Sequence, residues 1–204
     1  DMAEHQYEEL AMEYEKNRRL YHDMNNHNLV MWKLAEKGEY ERLHKYIGKL
    51  RPLEKDRHRQ WTQNLILDMI LEYKLLAMEK KKILYEIKTD MIGEIALADK
   101  ELCILLGNLL DNAIEACEKL EEKKRMVKIE VRKHHSMFML IVENSCEAHA
   151  QVRKGIFRTT KKDDRMHGYG IHNVRKTVKN RGGQFQYGSR GENFYVKILI
   201  PLVI

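Results

Sequence analysis

The sequence predicts an α+β protein with two parts, a helical region at residues 1–81 and a mixed region at residues 82–204. Apolar residues recur at helical spacing through the first region, and from Ile83 the spacing changes to the alternation of a strand. Only two prolines and 11 glycines interrupt the 204 residues, so long flexible linkers are not expected. In the second region, helices carried on one face of a sheet give the α+β layer arrangement.

The first region is predicted to contain three helices. The first runs from residue 1 to about 36 and is interrupted at Gly38, the second covers about 39–49 and ends near Pro52, and the third covers about 57–80. Their apolar positions form seams amid dense charge. Because long helices cannot bury such seams alone, we expect a helical hairpin that forms a homodimeric four-helix bundle.

The second region alternates between strand and helix patterns. Ile83, Tyr85 and Ile87 predict the first strand, and an amphipathic helix begins near Ala98. The remaining elements are strands at 127–131 and 137–142, a polar loop or lid at 145–167, a helix at 169–181, and a strand pair at 184–187 and 194–200.

Composition limits the class of protein. The formal charge is +6, but acidic residues are interleaved almost everywhere, which suits phosphates or a membrane surface and disfavours a nucleic-acid partner. Three cysteines, Cys103, Cys117 and Cys146, show no C-x-x-C spacing. That pattern favours buried thiols in a reducing compartment over a disulfide framework.

The chain begins at Asp1 within a helical pattern, and it has no apolar run of the roughly 18 residues that a membrane span needs. We therefore expect a fragment of a longer protein. Membrane spans are expected in the upstream segment, which would make this chain the cytoplasmic domain of a cell-membrane protein.

The helix that begins near Ala98 carries the most informative residues. Its apolar face comprises Leu102, Leu105, Leu106, Leu109, Ala113, Ala116, Cys117 and Leu120. Asn108, Asn112 and Glu115 lie together on the flank of that face. Two carboxamides one turn apart can hold a hydrated Mg²⁺ and phosphate oxygens, because carboxamide oxygens suit a hard cation. A surface helix with ordinary polar pairs is the alternative.

A second phosphate-binding candidate is Gly168-Tyr-Gly170, immediately before a predicted helix. Glycines there let backbone N–H groups approach a phosphate chain, and the helix N-terminus favours negative charge. Upstream, Thr160 and Lys161 offer a hydroxyl and an ammonium group to a triphosphate. A plain turn and a solvated loop would give the same residues. The sequence lacks the usual P-loop and dinucleotide-binding patterns.

His22 on the first helix is a candidate nucleophile. Its Nε2 can attack a γ-phosphate if Nδ1 keeps its proton and is held by an acceptor, which Asp23 could provide. Asn26, one turn on, could position a water for the reverse hydrolysis, and His27 is expected to pack or to hydrogen-bond. A lone helical histidine is otherwise a surface or seam residue, so this hypothesis depends on a nucleotide site elsewhere.

Together these residues resemble the sensor histidine kinases of the peptide-pheromone (Agr-type) group, within the GHKL ATPase superfamily. The resemblance covers nearly the whole chain. His22-Asp23-x-x-Asn26-His27 looks like the phosphoacceptor box of that group. Asn108-Leu-Leu-Asp-Asn112-Ala-Ile-Glu-Ala116 is similar to its N box, and Gly168-Tyr-Gly170-Ile-x-Asn173-Val is similar to its second glycine box.

The resemblance implies a Bergerat-type α/β sandwich that binds ATP, joined to a dimeric helical hairpin. It implies that His22 accepts phosphate, with Asp23 as its base or orienting partner. Asn108 and Asn112 would engage Mg²⁺ and the phosphates, and Gly168 and Gly170 would contact the phosphates through the backbone.

One departure from the wider family concerns the adenine contact. Most histidine kinases carry Asp-x-Gly-x-Gly after the third strand, where this chain has Glu143-Asn144-Ser145-Cys146. Asn144 is similar to the substitution in the Agr-type group. A neutral amide oxygen accepts a weaker hydrogen bond than a carboxylate does. We therefore predict weak, submillimolar ATP affinity.

The sequence thus predicts the kinase portion of a membrane-bound quorum-sensing receptor that transfers phosphate from Mg-ATP to His22 and then to a response-regulator aspartate. Phosphatase activity through Asn26 is a further expectation. One alternative is a phosphotransfer or scaffold module whose nucleotide fold no longer binds ATP. Another is a GHKL ATPase that performs conformational work, although such enzymes typically have a glutamate where this chain has Asn108.

Overall fold

The computed structural model describes residues 2–50, 60–147 and 169–202. The chain divides into two compact units, Asp1–Asp56 and Arg57–Ile204. The division lies after Asp56 and not near Lys81, where the sequence pattern placed it. The helix before Lys81, predicted as part of the bundle, belongs to the second unit.

The first unit is a hairpin of two helices. Helix α1 spans Met2–Glu36 and helix α2 spans Tyr40–Leu50. Gly38 takes a positive φ of 69° between them, and the N–H of Glu39 donates to the Leu34 carbonyl at 2.9 Å. Such a left-handed glycine satisfies the last carbonyls of α1 and reverses the chain. The predicted turn at Gly38 is therefore confirmed.

Helix α3, Leu65–Lys80, explains the corrected boundary. Its buried apolar residues are Leu67, Leu71, Leu75 and Met78, which all join the hydrophobic core of the second unit. Asn64 caps its first turn, because Oδ1 accepts from the Leu67 N–H at 3.1 Å. Sequence periodicity does not specify which unit an apolar seam packs against. The prediction that α3 belongs to the helical bundle is therefore replaced by its place in the second unit.

A five-stranded sheet forms one layer of the second unit. The strands are β1 (Leu84–Thr89), β2 (Met126–His134), β3 (Met137–Ser145), β4 (Gln184–Arg190) and β5 (Asn193–Pro201). Their spatial order is β1-β2-β3-β5-β4, with β1 parallel to β2 and the other pairs antiparallel. All five strands that the alternation predicted are present.

The second layer consists of helices. It comprises α3, α4 (Asp99–Leu102), a π-helical turn (Cys103–Gly107), α5 (Asn108–Glu118) and α6 (Tyr169–Asn180). Alternate residues of β3 are buried toward this layer: Phe138, Leu140, Val142 and Asn144. The sheet with helices packed on it confirms the mixed α+β arrangement.

The predicted single helix after Ala98 is divided by the π-helical turn. Its buried side also includes Leu110 and Ile114, whereas Ala116 and Leu120 are only partly buried. The apolar arc is wider than predicted because α5 packs against α3 and α6 as well as against the sheet. Among the helices within the described ranges, none combines the length and apolarity of a membrane span.

Candidate functional site

The first turns of α5 and α6 meet at Asn108 and Gly170. A Cβ atom at Gly170 would lie 2.9 Å from Asn108 Oδ1. The Asn108 amide Nδ2 donates to the Ile104 carbonyl at 2.7 Å, which holds the side chain in this position. A side chain at position 170 would therefore require the Asn108 amide to shift. The structure therefore brings together two of the residues that the sequence singled out.

Asn112 lies one turn beyond Asn108. Its Nδ2 is completely buried, and within the described ranges it has no hydrogen-bond partner. Leaving a buried donor unsatisfied costs about 1–3 kcal/mol. An acceptor oxygen on a ligand would remove that cost, so the orphaned amide fits a site for a phosphate-bearing ligand. Glu115, partly buried, follows on the same flank of α5.

The donor set also fits a magnesium ion that is bound together with phosphates. The described residues contain no group of three or more His, Cys, Asp or Glu side chains that could hold a metal ion. Carboxamide oxygens suit a hard cation together with phosphate oxygens, so Asn108 and Asn112 are residues that could hold one.

An ion pair between α3 and α5 neutralises the carboxylate beside Asn112. Lys74 Nζ donates to Asp111 Oδ1, and the lysine side chain is only 12% exposed. The pair links α3 to α5 next to the residue that carries the orphaned amide. The sequence analysis missed Lys74, since its partner lies on another helix and nothing local marks the pairing.

Asn144 lies on the helix-facing side of β3 and is 5% exposed. Its Nδ2 donates to the Ser145 carbonyl at 2.9 Å, which fixes the amide and leaves Oδ1 as the end that can accept a hydrogen bond. Cys117 Sγ lies 3.7 Å from the same carbonyl oxygen. Burial raises the pKa of the Cys117 thiol, so it stays neutral beside Asn144.

Aromatic residues that the sequence analysis missed lie beside Asn144. Phe194 is its register partner on β5, and alternation places both side chains on the same face of the sheet. The ring of Tyr187 lies 6.4 Å from that of Phe194. Aromatic faces next to a hydrogen-bond acceptor can hold a planar base. The alternating pattern of β4 and β5 was the available signal.

A bidentate ion pair joins Glu101 of α4 to Arg181, the residue that follows α6. Arg181 Nε donates to Glu101 Oε1 at 2.8 Å, and Nη2 donates to Oε2 at 2.5 Å. The hydrogen bond from Arg181 lowers the pKa of Glu101. Glu101 Oε2 also accepts the Ala98 N–H at 2.9 Å. The Asn108–Gly170 contact and this ion pair therefore fix α6 against the segment that runs from α4 into α5.

The His22 neighbourhood belongs to the first unit. The His22 side chain is 74% exposed, and its Nδ1 lies 3.6 Å from Asp23 Oδ1 and 3.2 Å from Asn26 Nδ2. The three side chains are therefore neighbours, but Asp23 does not make the predicted hydrogen bond to His22 Nδ1, and the roles of all three remain predictions. His27 Nδ1 is hydrogen-bonded to the Tyr46 hydroxyl at 2.8 Å, which links α1 to α2 and agrees with the packing role expected for it.

Three of the predicted phosphate-binding residues, Thr160, Lys161 and Gly168, lie outside the described residues. Their predicted roles remain predictions.

Comparison with known proteins agrees with this geometry. Residues 97–201 match the family model described as the GHKL domain. This chain belongs to the GHKL domain family. The matched range contains Asn108, Asn112, Asn144 and Gly170, whereas His22 lies before it. No curated protein matched the chain.

Solved structures show the same fold. The catalytic domain of histidine kinase ThkA superposes with a TM-score of 0.55 at 22% identity, covering 68% of this chain and 91% of that one. Histidine kinase AdeS of Acinetobacter baumannii gives 0.51 at 16% identity and 82% of each chain. The mycobacterial sensor histidine kinase MprB gives 0.50 at 16% identity, covering 67% and 93%. The GHKL chain therefore has the fold of histidine kinase catalytic domains.

Proposed function

We propose that this GHKL chain is the kinase part of a two-component sensor histidine kinase, which transfers phosphate from Mg-ATP to His22 and then to an aspartate of a response regulator. The observation that carries the proposal is the meeting of Asn108 with Gly170 beside the orphaned amide of Asn112. Family membership and the histidine kinase fold support it.

The residues of the candidate site would hold ATP as follows. Asn112 Nδ2 donates to a phosphate oxygen, and the backbone at Gly170 lets the triphosphate approach the start of α6. Asn144 Oδ1 accepts from the adenine amino group. Mg²⁺, held by Asn108 and Asn112 when bound, would supply charge neutralisation of the phosphates.

His22 would act as the nucleophile. Its Nε2 forms a bond to the γ-phosphorus while the bond from that phosphorus to the bridging oxygen breaks and ADP leaves with the electron pair. Asp23 attracts the proton on Nδ1 and stabilises the developing positive charge. Rotating the Asn26 amide by 180° exchanges its nitrogen and oxygen, so that Oδ1 can accept from Nδ1–H as well. For removal of the phosphate by hydrolysis, we propose that Asn26 positions the attacking water.

The finer assignment is to a membrane-bound receptor of the Agr type. Its support is the motif Glu143-Asn144-Ser145, in which an asparagine stands where most histidine kinases have an aspartate. In that assignment the chain lies in the cytoplasm, takes part in quorum sensing and depends on membrane spans in another part of the protein.

Radiolabelled ATP tests the proposal. The purified chain should acquire an acid-labile label with Mg-ATP, His22→Gln should abolish it, and Asn112→Ala should reduce it sharply. His44→Gln is the matched control, because His44 is also an exposed helical histidine. Label that persists in His22→Gln would refute the phosphoacceptor. Steady ATP turnover that is unaffected by His22→Gln would identify a conformational ATPase instead, and complete absence of nucleotide binding would identify a scaffold.

A further inference from the structure

A groove of about 600 Å³ lies between α6 and β4, on the side of the helix away from Asn108. Its basic lining consists of His172, Arg175, Lys176 and Lys179, and its aromatic lining is Phe185. The Arg175 guanidinium lies 5.8 Å from the centre of the Phe185 ring. The nucleotide site uses none of these residues, so the groove needs an explanation of its own.

The four basic residues form one stripe along α6. Their spacing of three and four positions places them on one face, while Val174 and Thr177 are buried on the other. Residues 169–183 contain no aspartate or glutamate. Among the described residues, Arg181 is neutralised by Glu101, but neither Lys176 nor Lys179 is in an ion pair. Within the described part of the chain, the stripe is therefore a positive surface whose two lysines are not paired with an acidic side chain.

Strand β4 forms one edge of the sheet as described, since it pairs with β5 alone. Edge strands are usually protected by charged residues or proline. Strand β4 contains no proline, and its one charged residue is Arg190 at its last position. An extended segment of another chain could pair with this edge through backbone hydrogen bonds.

We propose that the groove and the β4 edge bind an acidic, extended segment of a partner protein, added to the sheet as a strand. Side chains two residues apart in a strand lie about 6.6 Å from each other. Residues four apart on a helix are separated by about 6 Å along its axis. Alternate glutamates of the added strand would therefore match the His172–Lys176 and Arg175–Lys179 spacings. A concave groove beside open backbone groups favours a peptide over a membrane surface, which offers no strand.

Fluorescence anisotropy with a labelled peptide of alternating Glu and Val tests the proposal on the whole chain. The double substitution Lys176→Glu/Lys179→Glu should weaken binding about tenfold or more. The matched control is Lys123→Glu/Lys133→Glu, which makes the same charge change at exposed residues outside the groove and should alter binding by less than about twofold. Unfolding midpoints of both variants should equal that of the unaltered chain.

A second peptide, N-methylated at alternate residues, keeps the charge but cannot pair as a strand. It should bind about fivefold more weakly or worse. Equal binding of both peptides would overturn strand addition and leave a simple polyanion surface. Equal losses in the two double variants would overturn the groove as the location. Binding to vesicles of anionic lipid without binding to the peptide would assign the face to a membrane.

Discussion

At Gly170, the start of α6 lies close to Asn108 on α5. We predict that Gly170→Ala weakens nucleotide binding about tenfold while it changes stability little. The new Cβ would lie 2.9 Å from Asn108 Oδ1, so the Asn108 amide, which donates to the Ile104 carbonyl, would have to shift from its position in the site. Calorimetric titration with Mg-ATP measures the effect.

Gly107→Ala is the matched control for Gly170→Ala. Gly107 is also helical, but apart from its chain neighbours and its own helix backbone no atom lies within 4 Å of the position that its Cβ would take. Alanine there should be neutral or stabilise the protein by about 0.5–1 kcal/mol. Equal nucleotide affinities of the two alanine variants would show that the Asn108–Gly170 contact does not shape the site.

Asn144 sets the strength of the predicted adenine contact. Its Oδ1 is neutral, and hydrogen bonds to a neutral acceptor are about half as strong as those to a carboxylate. We therefore predict a submillimolar dissociation constant for ATP, weakened further by Asn144→Ala. Gln186→Ala, an exposed position on β4, should leave the affinity unchanged. Nanomolar binding of ATP would contradict the prediction.

At the scale of the element, α3 decides where the second unit begins. We predict that Leu71→Ala lowers the free energy of unfolding of that unit by about 2–5 kcal/mol, because Leu71 is completely buried in its core. Leu65→Ala on the same helix removes a side chain that is 74% exposed and should cost less than about 0.5 kcal/mol. Urea unfolding followed by circular dichroism compares the two.

The domain boundary has a direct test of its own. A fragment that begins at residue 57 should fold, whereas one that begins at residue 82 should not, since it lacks the buried residues of α3. Cooperative unfolding of the shorter fragment would restore the boundary that the sequence predicted.

The elements show what periodicity can predict and what it cannot. Strands β2 and β3 were predictable because alternate residues face the helical layer and the other face is polar or only partly buried. The location of α3 was not, since an apolar seam does not specify its partner. In the site, Asn108, Asn112 and Asn144 were found from local motifs. Lys74 and the Arg181–Glu101 pair were missed because each joins residues far apart in sequence.

The Arg181–Glu101 ion pair should make stability depend on acid pH. The pKa of Glu101 is lowered in the folded chain by its bond from Arg181, from a reference value of 4.5. Its contribution is therefore fully present above that reference value and is lost as the pH falls through the folded pKa. Glu101→Gln should flatten the acid limb of the melting temperature measured from neutral pH to about pH 3. Glu94→Gln, an exposed glutamate, should leave it unchanged.

At the scale of the whole molecule, the first unit leaves large apolar side chains open to solvent. Exposed members on α1 include Leu20, Met24 and Trp32, at 58%, 51% and 59%, and α2 contains no buried residue. Leu20 and Met24 are one helical turn apart and share a face. We propose that a second copy of the hairpin covers these residues, which would complete a four-helix bundle.

Leu20→Glu/Met24→Glu should therefore convert a dimer into a monomer in sedimentation equilibrium, because two buried carboxylates per chain would have to be desolvated in the interface. Met69→Glu is the control, since Met69 is equally exposed, at 57%, but lies on α3 of the second unit. That control should remain dimeric. A monomer at every concentration of the unaltered chain would refute the bundle, and a dimer that survives in the double variant would place the interface on another face.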